Sequence, residues 1–202
     1  MDNVNIILAA GAQTRWNSTE GKGLPDIKQL VDIDGEILIK RIQRQFPGSI
    51  VITKNRIISG HSKMVFNPEF NEITISTLFC TQPLWKDWTT VLLGDVLYGE
   101  DTIQKLHLQE DKLMFYGNKK EIFAMKFHKD LMVEMLMSIN TIINSKFFEK
   151  KFGKLWNLYR FFNGKDYRVH EIDKFFTFVF DCRDFDTKAQ YVKYAKEHKI
   201  RR

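Results

Sequence analysis

Apolar residues occur along the chain in short continuous runs that alternate with helically spaced repeats. Runs of strand length, or short strand-like pieces, predict β-strands over residues 4–9, 29–33, 50–53, 91–93, 112–116, 122–127 and 175–180. Helical spacing recurs within residues 39–46, 101–106, 132–143, 148–162 and 187–198. Residues 73–85 are ambiguous and are predicted as a short strand followed by a short helix.

Turn and capping residues support these boundaries. Pro47-Gly48 ends the first helix, and Asp34-Gly35 marks a turn. Gly117-Asn118 joins the strands at 112–116 and 122–127 as a hairpin, and Asp186 is predicted to cap the last helix.

This order predicts one α/β domain over residues 1–202, since no repeat, low-complexity tract or Pro/Ser-rich linker divides the chain. The early strands are separated by helices, which favours a mixed, mostly parallel central sheet with helices on both faces and a Rossmann-like N-terminal half. In such sheets ligands bind at the carboxyl ends of the strands.

The composition of the chain is that of a globular domain and argues against a membrane-spanning or secreted protein. The chain is 44% hydrophobic and 28% charged, as expected for a globular domain with a sizeable core. No apolar stretch reaches the ~18 residues of a membrane span. The acidic start lacks the features of a secretory signal, so a cytoplasmic location is expected. Cys80 and Cys182 are far apart and are predicted to be free thiols.

The net charge of +6 and the pI of about 9.2 raise the question of nucleic-acid binding. The basic residues are spread along the chain, which favours a mildly cationic surface and makes a nucleic-acid partner the weaker interpretation. A cationic cleft also suits a nucleoside triphosphate. The five histidines have no metal-ligand spacing, which argues against a zinc site.

The loop after the first strand is the first candidate site. Ala10, Gly11 and Ala12 are small enough for close approach of the backbone to a ligand, and successive N–H groups in such a turn can bind an anion. Gln13 and Thr14 continue the loop, and Arg15 carries donors that suit phosphate oxygens. The loop matches neither the Walker A nor the GxGxxG pattern, and a simple strand-to-helix turn is the alternative.

Lys28 and Asp95 are further candidates. Lys28 precedes a predicted strand, where it is either a surface lysine or a group that reaches the phosphates. Asp95 follows a buried strand and is either a cap or an oxygen ligand for Mg²⁺ at the ligand-binding edge. Asp181, Asp184 and Asp186 follow the last strand, and their spacing does not decide which caps a helix and which binds metal.

Taken in order, these segments resemble the sugar-phosphate nucleotidyltransferase superfamily, which has a GT-A-like fold. The superfamily includes sugar-1-phosphate, phosphocholine and molybdenum-cofactor nucleotidyltransferases. The matching motifs are Leu8-Ala-Ala-Gly-x-x-x-Arg15, Pro25-x-x-Lys28-x-Leu30, Gly35 with Ile37-Leu38-Ile39, and Leu93-Gly94-Asp95. The tail from Phe178 to Asp181, followed by a helix, resembles the family's closing strand and metal-binding aspartate.

The resemblance implies a nucleotide-binding half, residues 1–110, and an acceptor-binding half, residues 111–202. The loop from Ala10 to Arg15 would bind the triphosphate, with Arg15 on its outer phosphates and Lys28 on the α-phosphate. Asp95 and Asp181 would hold Mg²⁺. The partners would be a nucleoside triphosphate and a phosphorylated small molecule, and a homodimer is left open.

Two of the departures from the family pattern lie in the motifs of the candidate site. Gln13 stands where the family often has a second glycine, and Asp26 and Ile27 are inserted between Pro25 and Lys28. Two other functions therefore stay open. One is a GT-A glycosyltransferase that uses Asp184-Phe185-Asp186, and the other is a non-catalytic nucleotide-binding or nucleic-acid-binding protein.

Overall fold

The strands assemble into one seven-stranded sheet and two small two-stranded sheets in the computed structural model. The structure describes residues 2–11, 16, 24–71, 73–145, 154–166 and 168–198. Within these residues the strands are β1 (Asn3–Leu8), β2 (Asp32–Ile33), β3 (Glu36–Ile37), β4 (Ile50–Ile52), β5 (Val65–Phe66), β6 (Trp88–Leu93), β7 (Val96–Leu97), β8 (Leu113–Gly117), β9 (Ile122–His128), β10 (Phe176–Phe178) and β11 (Arg183–Asp184).

The α-helices in the same residues are α1 (Leu38–Gln45), α2 (Arg56–Gly60), α3 (Thr74–Cys80), α4 (Glu100–Leu108), α5 (Met132–Asn144), α6 (Leu155–Phe162) and α7 (Lys188–Glu197). Short 3₁₀ turns occupy Lys28–Leu30, Gln82–Leu84 and Lys129–Leu131. None of the helices in the described ranges is long and apolar enough to cross a membrane.

The central sheet has the order β10-β8-β9-β6-β1-β4-β5. Strands β5, β4, β1 and β6 pair in parallel, as do β8 and β10, whereas β9 runs antiparallel to both of its neighbours. The predicted mixed, mostly parallel sheet is therefore confirmed, and so is the hairpin of β8 and β9.

Two hydrophobic clusters cover the opposite faces of the sheet. Along β1 the side chains alternate, so that Ile7 joins one cluster while Ile6 and Leu8 join the other. Helices α1, α2, α4 and α7 contribute to the first cluster, and α3, α5 and α6 contribute to the second. Helices on both faces were predicted and are confirmed.

Three local predictions are wrong. Residues 74–80 form α3 where a short strand was predicted, because Ile75 and Leu78 are buried on one helical face and this burial outweighs the β-branched composition. Only the end of the segment 29–33 is a strand, since Lys28–Leu30 form a 3₁₀ turn. Thr187, rather than Asp186, caps α7, in a reciprocal capping box with Gln190.

Candidate active site

The candidate site lies at the carboxyl ends of β1 and β6. These strands pair in parallel with Leu8 opposite Leu93, so the residues that follow them emerge at the same edge of the sheet. The Gly94 N–H donates to the Leu8 carbonyl at 2.9 Å. A Cβ at Gly94 would lie 3.0 Å from the Ala9 Cβ, which is tighter than an ordinary contact, so glycine lets the two turns pack this closely without a shift of their neighbours.

The start of the predicted phosphate loop is held by polar side chains. The Thr53 hydroxyl donates to the Ala9 carbonyl at 3.1 Å, and the Asn71 amide donates to the Ala10 carbonyl at 3.2 Å. Gly11 is exposed. Ala12, Gln13, Thr14 and Arg15 lie outside the described residues, so their roles in phosphate binding stay predictions.

Trp16, which follows that loop, belongs to the core. Its side chain is fully buried, its indole N–H donates to the Pro25 carbonyl at 2.9 Å, and its ring meets the edge of the Tyr191 ring at 6.4 Å. The residue therefore packs between Pro25 and helix α7.

Lys28 is buried and binds two carboxylates. Its Nζ forms an ion pair with Asp95 and lies 3.6 Å from Asp184 Oδ1. Burial opposes the charge, but the carboxylates of Asp95 and Asp184 outweigh that effect and raise the pKa of Lys28 above its ordinary value. The alternative that Lys28 is a surface lysine is therefore wrong.

Asp184 reaches Asp95 through the pairing of two very short strands. Strand β11 runs antiparallel to β7, with Asp184 opposite Val96, the residue that follows Asp95. Burial and the charge of Asp95 raise the pKa of Asp184 to about 7, although Lys28 counteracts the shift. Within the described residues, Asp184 Oδ1 is buried and has no hydrogen-bond partner.

Asp181 is engaged elsewhere. Its carboxylate accepts hydrogen bonds from the Thr102 hydroxyl and, at 3.2 Å, from the Thr102 N–H in the first turn of α4. Gly99 leaves room for it, because a Cβ at that position would overlap the Asp181 side chain. Asp181 thus caps α4 from the far end of the chain, and Asp184 takes the place beside Asp95 that the resemblance implied for Asp181.

The turn that carries Asp95 is anchored by a buried tyrosine. The Tyr98 hydroxyl accepts from the Leu93 N–H at 2.9 Å and donates to the Phe123 carbonyl at 2.7 Å. Burial raises the pKa of Tyr98 well above its ordinary value, so the hydroxyl keeps its proton. The sequence showed Tyr98 only as an apolar position after Asp95, with no signal of this role.

A cleft of about 130 Å³ opens beside the lysine and its carboxylates. Its charged lining residues come from both predicted halves of the chain: Lys28, Asp95, Glu121, Lys154, Asp184 and Asp186. Sequence patterns gave no indication of Glu121 and Lys154, which lie far apart along the chain and belong to no recognised motif.

The pair Asp95 and Asp184 fits a divalent cation. Two adjacent carboxylates share one buried lysine, which leaves excess negative charge, and one carboxylate oxygen lacks a hydrogen-bond partner within the described residues. Hard carboxylate oxygens are the ligands that Mg²⁺ prefers. The described residues contain no set of three histidine, cysteine, aspartate or glutamate side chains arranged to bind a metal. A cation here would therefore complete its coordination with substrate oxygens or water.

A larger groove of about 720 Å³ has no described lining residue in common with this cleft. It is lined mainly by apolar side chains of α3, α5 and β5, together with Gln82 and Pro83. Among its described lining residues Glu69 is the one with a charge, and none of them is a cation that could bind a phosphate. The candidate chemistry lies in the smaller cleft.

No protein-family model matches the chain, and no curated protein matches it in sequence. Solved structures do match over nearly the whole chain. The CTP:phosphocholine cytidylyltransferase from Streptococcus pneumoniae has a TM-score of 0.63 at 15% identity, with 98% of this chain and 100% of that chain covered.

Two further structures agree. The inositol-1-phosphate CTP transferase from T. maritima has a TM-score of 0.60 at 13% identity, with coverage of 98% of this chain and 96% of that chain. A CMP:2-keto-3-deoxy-manno-octonic acid synthetase complexed with CTP has a TM-score of 0.62 at 12% identity, with coverage of 98% and 99%. The resemblance found in the sequence is thus confirmed for the fold: this chain has the fold of the sugar-phosphate nucleotidyltransferases.

Proposed function

We propose that this protein is a Mg²⁺-dependent nucleotidyltransferase. It transfers a nucleoside monophosphate from a nucleoside triphosphate to a phosphorylated sugar or alcohol and releases pyrophosphate. The observation that carries the proposal is the buried Lys28 held by Asp95 and Asp184 at the carboxyl edge of the sheet, in a fold shared with such enzymes.

Asp95 and Asp184 are the residues that would hold Mg²⁺, which when bound would neutralise triphosphate charge and polarise the phosphoryl oxygens. This assignment replaces Asp181 by Asp184, because the Asp181 carboxylate is bound to Thr102. Lys28 lies against the same carboxylates and would neutralise the charge that develops on the α-phosphate.

The chemistry needs little from a general base. A phosphate oxygen of the acceptor attacks the α-phosphorus, a new P–O bond forms, and the bond to the pyrophosphate leaving group breaks. The attacking oxygen is already ionised near neutral pH, so no side chain has to remove a proton. Positioning of the two substrates and neutralisation of charge by Lys28 would carry most of the rate acceleration.

The first test is pyrophosphate release by the full chain with Mg²⁺. ATP, CTP, GTP, UTP and dTTP are each combined with pooled sugar 1-phosphates and phosphocholine. We expect release with a preferred nucleotide, and only when an acceptor is present. Release of a nucleoside diphosphate from a nucleotide-sugar would instead support a glycosyltransferase, an alternative that the structural neighbours do not favour.

Three matched variants test the metal assignment. Asp95→Asn and Asp184→Asn should each lose Mg²⁺-dependent release, because each removes one charged ligand. Asp181→Asn makes the same chemical change at the helix cap and should keep Mg²⁺-dependent release. Full activity of Asp184→Asn together with inactive, folded Asp181→Asn would return the ligand role to Asp181.

A further inference from the structure

One ion pair in the cleft comes entirely from the predicted acceptor-binding half. Lys154 Nζ lies 2.8 Å from Glu121 Oε1, and both residues line the same cleft as Lys28, Asp95 and Asp184. The Lys154 side chain is 48% exposed, so it is accessible to a ligand from solvent.

Both members of the pair are held by well-connected backbone. Glu121 ends the hairpin turn between β8 and β9, where the Asn118 side chain accepts from the Lys120 N–H at 2.7 Å and from the Glu121 N–H at 3.0 Å. Lys154 precedes α6, and two residues later the Trp156 indole donates to the Lys120 carbonyl at 2.9 Å. The hydrogen bond of Trp156 therefore fixes the start of α6 against the turn that carries Glu121.

The charges in the cleft make Lys154 distinctive. Among the described lining residues, four are carboxylates and two are lysines. Lys28 is buried against Asp95 and Asp184, whereas Lys154, which contacts Glu121, has the more exposed side chain of the two lysines. An anionic acceptor that enters a cleft with excess carboxylates needs a cation, and Lys154 is the accessible one in the described lining.

We infer that the Lys154–Glu121 pair is an anion-exchange site for the acceptor, in which the acceptor's phosphate replaces the Glu121 carboxylate on Lys154. This inference rests on the proposed function and adds the residue that selects a phosphorylated acceptor over a neutral one. The exchange costs little, because an exposed ion pair contributes little to stability. A phosphate dianion then offers the ammonium group more charge than the single carboxylate does.

The inference predicts opposite effects at the two positions. Lys154→Met should raise the KM for the acceptor about ten-fold or more, because a charge-assisted contact is lost, and should leave the KM for the triphosphate unchanged. Glu121→Gln should lower the KM for the acceptor, because it removes the competing carboxylate. Lys154→Arg keeps the charge and should retain most of the affinity.

Lys129→Met is the matched control. Lys129 is an exposed lysine in an ion pair of the same length, 2.8 Å to Asp87, and it does not line the cleft. The control should leave both KM values unchanged. A Lys154→Met enzyme with an unchanged KM for the acceptor overturns the inference, and so does an equal loss in Lys129→Met.

A direct titration separates this inference from the proposed function. Methyl phosphate is titrated by calorimetry into the wild-type chain and the four variants with Mg²⁺ present. We expect binding that weakens about ten-fold or more in Lys154→Met, tightens in Glu121→Gln and is unchanged in Lys129→Met. Such binding without any pyrophosphate release would support the anion site and contradict the transferase. Absence of a Lys154-dependent difference would overturn the anion site whether or not the enzyme turns over.

Discussion

Two lysines are buried to the same extent, 9% exposed, in two different settings. Lys28 binds the carboxylates of Asp95 and Asp184 in the cleft. Lys126, on β9, donates instead to backbone carbonyls at the end of α4, at 2.8 Å to Leu106 and 3.2 Å to Gln109, and lies 5.2 Å from the centre of the Trp88 ring.

The chemistry of the partners separates a candidate catalytic lysine from a structural one. Carboxylates raise the pKa of Lys28 despite its burial, whereas burial lowers the pKa of Lys126. The carbonyls at a helix C-terminus are polar groups that need a donor, and Lys126 supplies it without a counter-charge. Carboxylates beside a cleft can bind a metal ion in place of a lysine, and the lysine can then bind a phosphate. Burial alone therefore does not identify a functional lysine.

The largest expected effect is on the rate, at Lys28. Lys28→Met should lower turnover in the pyrophosphate assay by about 100- to 1,000-fold, because the charge on the α-phosphate is no longer neutralised. Circular dichroism checks that the variant is folded. Lys126→Met serves as the control and should keep its turnover per folded molecule. A folded Lys28→Met enzyme with a near-normal rate would show that another cation acts on the α-phosphate.

The next effect is on stability, at Lys126. Lys126→Met should lower the free energy of unfolding by about 2 kcal/mol, because the carbonyls at the end of α4 lose their buried donor. Urea denaturation of the variant and the wild-type chain measures the difference. An unchanged unfolding midpoint would mean that water satisfies these carbonyls equally well, and the contrast with Lys28 would then fail.

The smallest effect is a gain of stability at Asp184 in the absence of Mg²⁺. Its pKa of about 7 in the folded chain exceeds the ordinary 3.8, so the folded state binds more protons than the unfolded state between these values. The free energy of unfolding therefore falls as the pH rises through this window. Asp184→Asn removes that loss and should be more stable than the wild-type chain by about 1 kcal/mol near pH 8.

Thermal unfolding at about pH 5 and about pH 8 checks this prediction. The stability advantage of Asp184→Asn should be smaller at the lower pH, because the wild-type carboxyl takes up its proton there. Asp181→Asn is the contrasting variant. It weakens the cap on α4, so it should lose stability at both pH values. A variant Asp184→Asn that is less stable than the wild-type chain at the higher pH would contradict the cost inferred from the burial of the Asp184 charge and its repulsion by Asp95.

The core strands of residues 1–110 and the position of Asp95 were predictable because the evidence for them is local. Continuous apolar runs marked β1 and β6, and the small-residue loop after the first run and Asp95 after the second marked the same edge of a parallel sheet. The segment 73–80 was not predictable in the same way. Its β-branched residues favour a strand, and only the burial of Ile75 and Leu78 on one face makes it a helix.

The sequence by itself predicted the α/β class and the helices on both sheet faces, and it pointed to Lys28 and Asp95, which the structure brings together in one ion pair. Only the tertiary structure decided that Lys28 is buried, that Asp184 rather than Asp181 joins Asp95, and that Glu121 and Lys154 share their cleft. The choice among the three closely spaced aspartates depends on the register of β11 against β7, two strands of two residues each. So short a pairing leaves no periodic pattern in the sequence, because its register is set by the packing of distant elements.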